Sequence, residues 1–127
     1  MPNITAVTQE TDQEREVLTK AVLRCAELMG LRTTQTASVL GLSKSTLSRM
    51  NDGSYLLKKN AKEWELAVLL IRLYRSLDAI MAGDEKAMLA WLSGYNNALG
   101  DTPKNLLAQI TGLTRTVDYV DAYRARV

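Results

Sequence analysis

At 127 residues the chain suits one compact domain or two small ones sharing a core, since domains span about 50–200 residues. It has a single cysteine, Cys25, and no histidine, which excludes an intramolecular disulfide, a zinc site of Cys/His type and the commonest general base of catalysis. The formal net charge is only +2, yet residues 31–62 carry six basic side chains against one acidic, a +5 block between two flanks, 1–30 and 63–100, that each have three basic against five acidic and sum to −2.

With two prolines and seven glycines, and with Leu, Ala, Lys, Arg and Glu dominant, the chain reads as all-α. Met1 to Glu10 is polar and aperiodic and reads as a frayed arm. It lacks a basic start, an apolar run and a small-residue cleavage site, and no later segment approaches about 18 uninterrupted apolar residues, so the expected location is the cytoplasm with no membrane contact. Thr11 followed by Glu14 forms a capping box and predicts a helix over 12–29, with Val17, Leu18, Ala21, Val22, Cys25, Leu28 and Met29 on its apolar stripe and Gly30 as its stop. On that stripe Cys25 reads as a small buried hydrophobe.

Residues 33–52 hold the most informative pattern. Two short helices crossing steeply need a small residue where their backbones approach, and Ala37 stands there; four positions on, Gly41 tolerates the positive φ of the turn. Leu40, Leu42, Leu47 and Met50 then point inward, and Ser43 caps the second helix. Lys44, Ser45, Ser48 and Arg49 are left outward on its first half. Those side chains suit a DNA-reading helix, because serine hydroxyls bond base edges or phosphates, lysine attracts phosphate and the arginine fork matches guanine. Beyond the 51–55 turn, Lys58 and Lys59, with Lys62, add sequence-independent attraction to the DNA backbone.

Asn60 with Glu63 predicts the next start, of a longest and most central helix running to Met81 and ending before Gly83. Two apolar series on it, Trp64, Val68, Ile71 and Leu70, Tyr74, Leu77, Met81, imply packing partners on more than one face. Trp64, Tyr74 and Trp91 read as core. Glu63 and Glu65 point to different faces and form no acid-base pair, so no enzyme, cofactor or metal is expected. Asp84 caps a fourth segment through Met88, Leu89, Trp91 and Leu92 that is interrupted by the Asn96 and Asn97 pair and closes near Gly100. Thr102 and Pro103 open a short helix to Ile110, Gly112 breaks it, and Thr114 caps a last helix with Val117, Val120 and Tyr123. The final stretch mixes Tyr119, Tyr123, Arg124 and Arg126 before the terminal Val127, residue types common at protein interface hot spots.

Residues 33–53, with the Asn51, Asp52, Gly53 turn, resemble the helix-turn-helix of Xre/Cro-type repressors. Trp91 and Leu92, the run from Asn97 to Leu107, then Gly112 and Val117 resemble the toxin-binding domain of Xre/MbcA/ParS-type antitoxins. The resemblance implies a compact helical bundle with a DNA-binding half, 11–82, and a toxin-binding half, 83–127. It implies an antitoxin that represses its own operator and neutralises a partner toxin, usually a RES-domain protein that consumes NAD, with residues 113–127 closing the toxin's active site. Within it Leu99, Gly100, Thr102, Pro103, Leu106 and Leu107 are the structural signature, and Tyr119, Tyr123, Arg124, Arg126 and Val127 are the candidate toxin contacts. Asp101 departs from the family pattern, standing where a second glycine is common. Because one reading helix covers few base pairs, a homodimer is expected. The alternative is a stand-alone repressor whose C-terminal half dimerises or senses a small molecule.

Overall fold

The computed structural model describes the backbone of residues 4–126 and the side chains of residues 11–126. Seven helices follow in order: α1 (Ile4–Leu28), α2 (Thr33–Leu40), α3 (Lys44–Asp52), α4 (Lys62–Ile80), α5 (Glu85–Ser93), α6 (Pro103–Leu106) and α7 (Ile110–Arg126). Among the described residues there is no strand, only an isolated antiparallel bridge between Asn96 and Asp101. The fold is all-α, as composition and periodicity indicate. No helix among these residues is long and apolar enough to cross a membrane.

The first helix starts earlier than its capping pattern suggests. The backbone is already helical at Ile4, so the 4–10 part of the expected arm is helix, and Thr11 and Glu14 lie inside α1. Between Pro2 and Thr11 there is neither glycine nor proline to stop a helix, and Ala6, Gln9 and Glu10 are good helix formers. Residues 1–3 of that arm lie outside the described residues.

Helix α4 touches α1, α2, α5 and α7 and is the central element, although its 19 residues make it shorter than α1, with 25. It buries Leu66, Ala67, Leu70, Ile71, Leu73, Ser76 and Leu77. Each leucine so covered contributes about 1.5–3 kcal/mol relative to exposure. From α1 come Val22, Cys25, Ala26 and Met29, and from α7 Leu113, Val117 and Val120, in one continuous core. Burial pushes the Cys25 thiol up, in keeping with an inert core residue. Trp64, Tyr74 and Trp91 are only half-buried at the core's margin, and Val68 is exposed, so one of the two expected faces of α4 is incompletely covered.

Helix α5 is capped as expected, Asp84 Oδ1 accepting from the Ala87 amide at 3.1 Å. The following segment differs from its reading. α6 spans four residues only, and Gly112, expected as a breaker, lies buried in the first turns of α7. A Cβ at Gly112 would stand 2.1 Å from the Leu106 carbonyl oxygen, so the glycine lets α7 cross the end of α6 at backbone contact. Thr114 is no cap; its hydroxyl donates to the Ile110 carbonyl at 2.8 Å within the helix.

Gly112→Ala separates propensity from packing. Helix propensity alone would favour alanine by about 0.5–1 kcal/mol, whereas a clash with main chain that cannot rotate away should destabilise by about 3 kcal/mol. Urea denaturation followed by circular dichroism should show a clearly lower midpoint; a raised one would refute the close approach.

Candidate functional site

The α2-turn-α3 unit is built as its residues dictate. Gly41 adopts φ 67°, and the Leu42 amide donates to the Ala37 carbonyl at 2.9 Å, closing α2. Ser43 Oγ accepts from the Thr46 amide at 3.1 Å and opens α3. Leu40, Leu47 and Met50 are buried and Leu42 is half-buried, which leaves Lys44, Ser45, Ser48 and Arg49 together on the exposed face of α3. Arg49 is held in place: its Nη2 donates to Thr46 Oγ1 at 3.1 Å, and its guanidinium carbon lies 5.7 Å from the centre of the Tyr55 ring.

The loop after α3 is anchored from both neighbouring helices. Asp52 accepts from the hydroxyl and the amide of Ser54, bonds that hold its carboxyl below the usual range. Leu57 is fully buried, and its amide donates to Thr19 Oγ1 at 3.0 Å. Arg15 donates from Nε to the Leu57 carbonyl at 2.9 Å and from Nη2 to that of Leu56 at 3.2 Å. Glu63 accepts from the Tyr55 hydroxyl at 2.8 Å and from the Lys58 amide at 2.9 Å. The expected capping pair is thereby corrected: Ala61 precedes α4 without a side-chain cap, and Glu63 serves the loop behind it. Burial first, then Glu63, pushes the Tyr55 hydroxyl up to about 12.

The two basic residues predicted beside α3 separate. Lys58 is exposed and makes no ion pair among the described residues, while the Lys59 ammonium is paired with Glu14 of α1. Arg15, Thr19 and Glu63 carry the geometry of this surface, and nothing in their local spacing signals it.

In the C-terminal part, residues 96–101 form a tight turn. The Gly100 amide donates to the Asn96 carbonyl at 2.8 Å, the Leu99 amide to Asn96 Oδ1 at 3.0 Å, and the Asn96 amide to the Asp101 carbonyl at 3.0 Å. Arg115 of α7 reaches back and donates to the carbonyls of Leu99 and Ala98 at 2.9 and 3.1 Å. Leu99, Pro103 and Leu107 are buried beneath the turn. At the end of α7, Tyr119, Tyr123, Arg124 and Arg126 are exposed; Val127 lies outside the described residues. Arg124 nonetheless has an intramolecular partner, donating from Nη1 to Ser76 Oγ at 3.3 Å. Ser76 in turn donates to Asp121 Oδ1 at 2.9 Å, and the Arg72 guanidinium lies 2.5 Å from Asp121 Oδ2. Because α7 supplies Leu113, Thr116, Val117 and Val120 to the core, residues 113–120 are no detachable tail.

Residues 9–72 match the family model of the antitoxin Xre-like helix-turn-helix domain. The chain belongs to the Xre-like antitoxin family. Residues 76–126 match a second model, the antitoxin Xre/MbcA/ParS C-terminal toxin-binding domain, and the two matches meet within α4. No curated protein matches the chain.

In this Xre-like antitoxin the departure at Asp101 has a local use. Its Oδ1 accepts from the Thr102 amide at 2.6 Å and from Asn105 Nδ2 at 3.3 Å, tying the turn to the first residues of α6. Among the described residues no group of His, Cys, Asp or Glu is placed to hold a metal ion.

Tyr55 offers a direct readout of the anchored loop. Its raised value favours the protonated form in the folded state, so the associated stability is complete below the ordinary tyrosine pKa near 10 and is lost as pH rises toward about 12. Alkaline titration of tyrosinate absorbance should show the highest-titrating tyrosine vanish in Tyr55→Phe and move down in Glu63→Gln. A titration unchanged by Glu63→Gln would contradict the contact.

Proposed function

We propose that this antitoxin binds its own operator through α3 as a homodimer and neutralises a partner toxin by direct binding through its C-terminal half. The observation that carries the reading is the exposed quartet Lys44, Ser45, Ser48 and Arg49, set on a helix whose other face is buried and joined in one chain to a domain of toxin-binding type. Arg49 reads a base edge, Ser45 and Ser48 bond bases or phosphates, and Lys44 and Lys58 meet the backbone. Lys59 contributes less, because Glu14 already neutralises it. Residues 11–82 do the DNA work and 83–127 the toxin work, in the cytoplasm and without a cofactor. Resemblance to the family supports a RES-type, NAD-consuming toxin, and Tyr119, Tyr123 and Arg126 as its first contacts. Arg124 joins them through the guanidinium donors that Ser76 does not take.

Fluorescence anisotropy on the operator tests the first half. Arg49→Ala should cost about 1–3 kcal/mol on the specific site, while Lys58→Ala should weaken all sequences alike and reduce the salt slope by about one. Unchanged operator affinity in Arg49→Ala would defeat the assignment of α3.

Growth rescue of cells expressing the neighbouring toxin, with cellular NAD measured alongside, tests the second. Ser48→Ala with Arg49→Ala should abolish repression and leave protection intact. Removing residues 122–127, which spares Val120 and the core, or replacing Tyr123 and Arg126 by alanine, should lower protection about tenfold or more with operator binding unchanged. Full rescue by the shortened chain would place the toxin contact elsewhere.

A further inference from the structure

The hydroxyl of Ser76 is directed differently from other hydroxyls in these helices. Thr19, Thr36, Ser38, Thr114 and Thr116 each donate to the carbonyl four residues back in their own helix, the local bond such side chains ordinarily make. Ser76, at 1% exposure, instead donates across to α7, to Asp121 Oδ1 at 2.9 Å, and accepts from Arg124 Nη1 at 3.3 Å. An alanine would fill nearly the same space on α4 without a polar atom to bury, so packing does not ask for the hydroxyl.

What the hydroxyl sets is a pair of side chains near the end of α7. The last core residue of that helix is Val120; Asp121 is half-buried, and residues 122–126 are exposed. Asp121 and Arg124 stand three apart on one helix, where opposite charges ordinarily meet, yet Arg124 makes no ion pair among the described residues. Both oxygens of Asp121 are engaged from α4, Oδ1 by Ser76 and Oδ2 by the Arg72 guanidinium. Arg124 therefore rests on the hydroxyl through one donor and keeps the rest of its fork for a ligand. Without the hydroxyl, the Asp121 oxygen that Ser76 releases, one turn back, becomes the partner of Arg124.

We propose that Ser76 is a positioning residue for toxin binding: it keeps Arg124 from closing onto Asp121 and presents the guanidinium, with Tyr123 and Arg126, to an acidic side chain of the toxin. The proposal rests on the reading of the C-terminal half as the toxin-binding surface.

A double-mutant cycle, read by calorimetric titration of the full chain with the neighbouring toxin, tests it. Ser76→Ala should weaken the complex about tenfold, as loss of a hydrogen bond to a charged group does, and Arg124→Ala about tenfold or more. Ser76→Ala added to Arg124→Ala should cause no further loss. In the Ser76→Ala chain, adding Asp121→Asn removes the competing charge and should recover most of the affinity. Operator affinity and the thermal midpoint should stay near native in Ser76→Ala, and any stability change common to both Arg124 backgrounds cancels in the cycle. An unchanged complex in Ser76→Ala overturns the proposal and leaves toxin binding standing. Equal losses from Ser76→Ala with and without Arg124, or a further loss on adding Asp121→Asn, assign the hydroxyl to holding the helices together and overturn it too. A wild-type chain that does not bind the toxin overturns the proposal and the toxin-binding reading together.

Discussion

Helix α4 carries more apolar surface than any one neighbour can cover, and the architecture is the solution to that excess. With Leu66, Ala67, Leu70, Ile71, Leu73 and Leu77 all removed from water, it requires α1 and α2 as well as α5 and α7 as partners. A chain of this length cannot divide such a helix between two separate cores without leaving each too small. The boundary between the two family domains therefore falls inside a shared helix, and the halves are joined by packing.

Once the helices are fixed, the loops present the second requirement, which is to satisfy backbone groups that helix geometry leaves out. The same device serves twice. Arg15 reaches the carbonyls of Leu56 and Leu57 from α1, and Arg115 reaches those of Ala98 and Leu99 from α7. A planar guanidinium presents several donors in a fixed fork, so one side chain can pin two successive carbonyls where a lysine would meet one. The first pinned loop adjoins the exposed face of α3, and the stiffness of both loops comes from elsewhere in the chain.

The sequence shows this logic only where it is local. Gly41, Ser43, Asp84 and Pro103 act on residues within one turn of themselves, and the starts they mark are read correctly from spacing, whereas α5 ends at Ser93 rather than near Gly100 and α6 at Leu106 rather than Ile110. Glu63 was misleading because the pattern it makes with Asn60 is the one a cap makes, while its carboxylate was needed by Tyr55 and Lys58. Gly112 misleads for a related reason: a glycine demanded by close approach looks the same in sequence as one that ends a helix. The composition of the α3 surface is legible, but the partners that neutralise Lys59 and hold one donor of Arg124 lie 45 and 48 residues away. No periodicity encodes contacts at that range; they follow from how α1, α4 and α7 pack.

The small contact between Arg49, Thr46 and Tyr55 bears on entropy rather than on charge. An exposed arginine samples many rotamers, and freezing one costs about 2 kcal/mol. Here part of that ordering is completed when the chain folds, because one of the five guanidinium donors already rests on Thr46 and the plane is steadied by Tyr55. A ligand that meets the remaining donors in the pose they already hold finds a prearranged fork. One that needs another pose must first dismantle the stack. The surface thus discriminates by shape before any bond to a ligand is made, and Tyr55, which lies outside α3, helps set how sharply it does so.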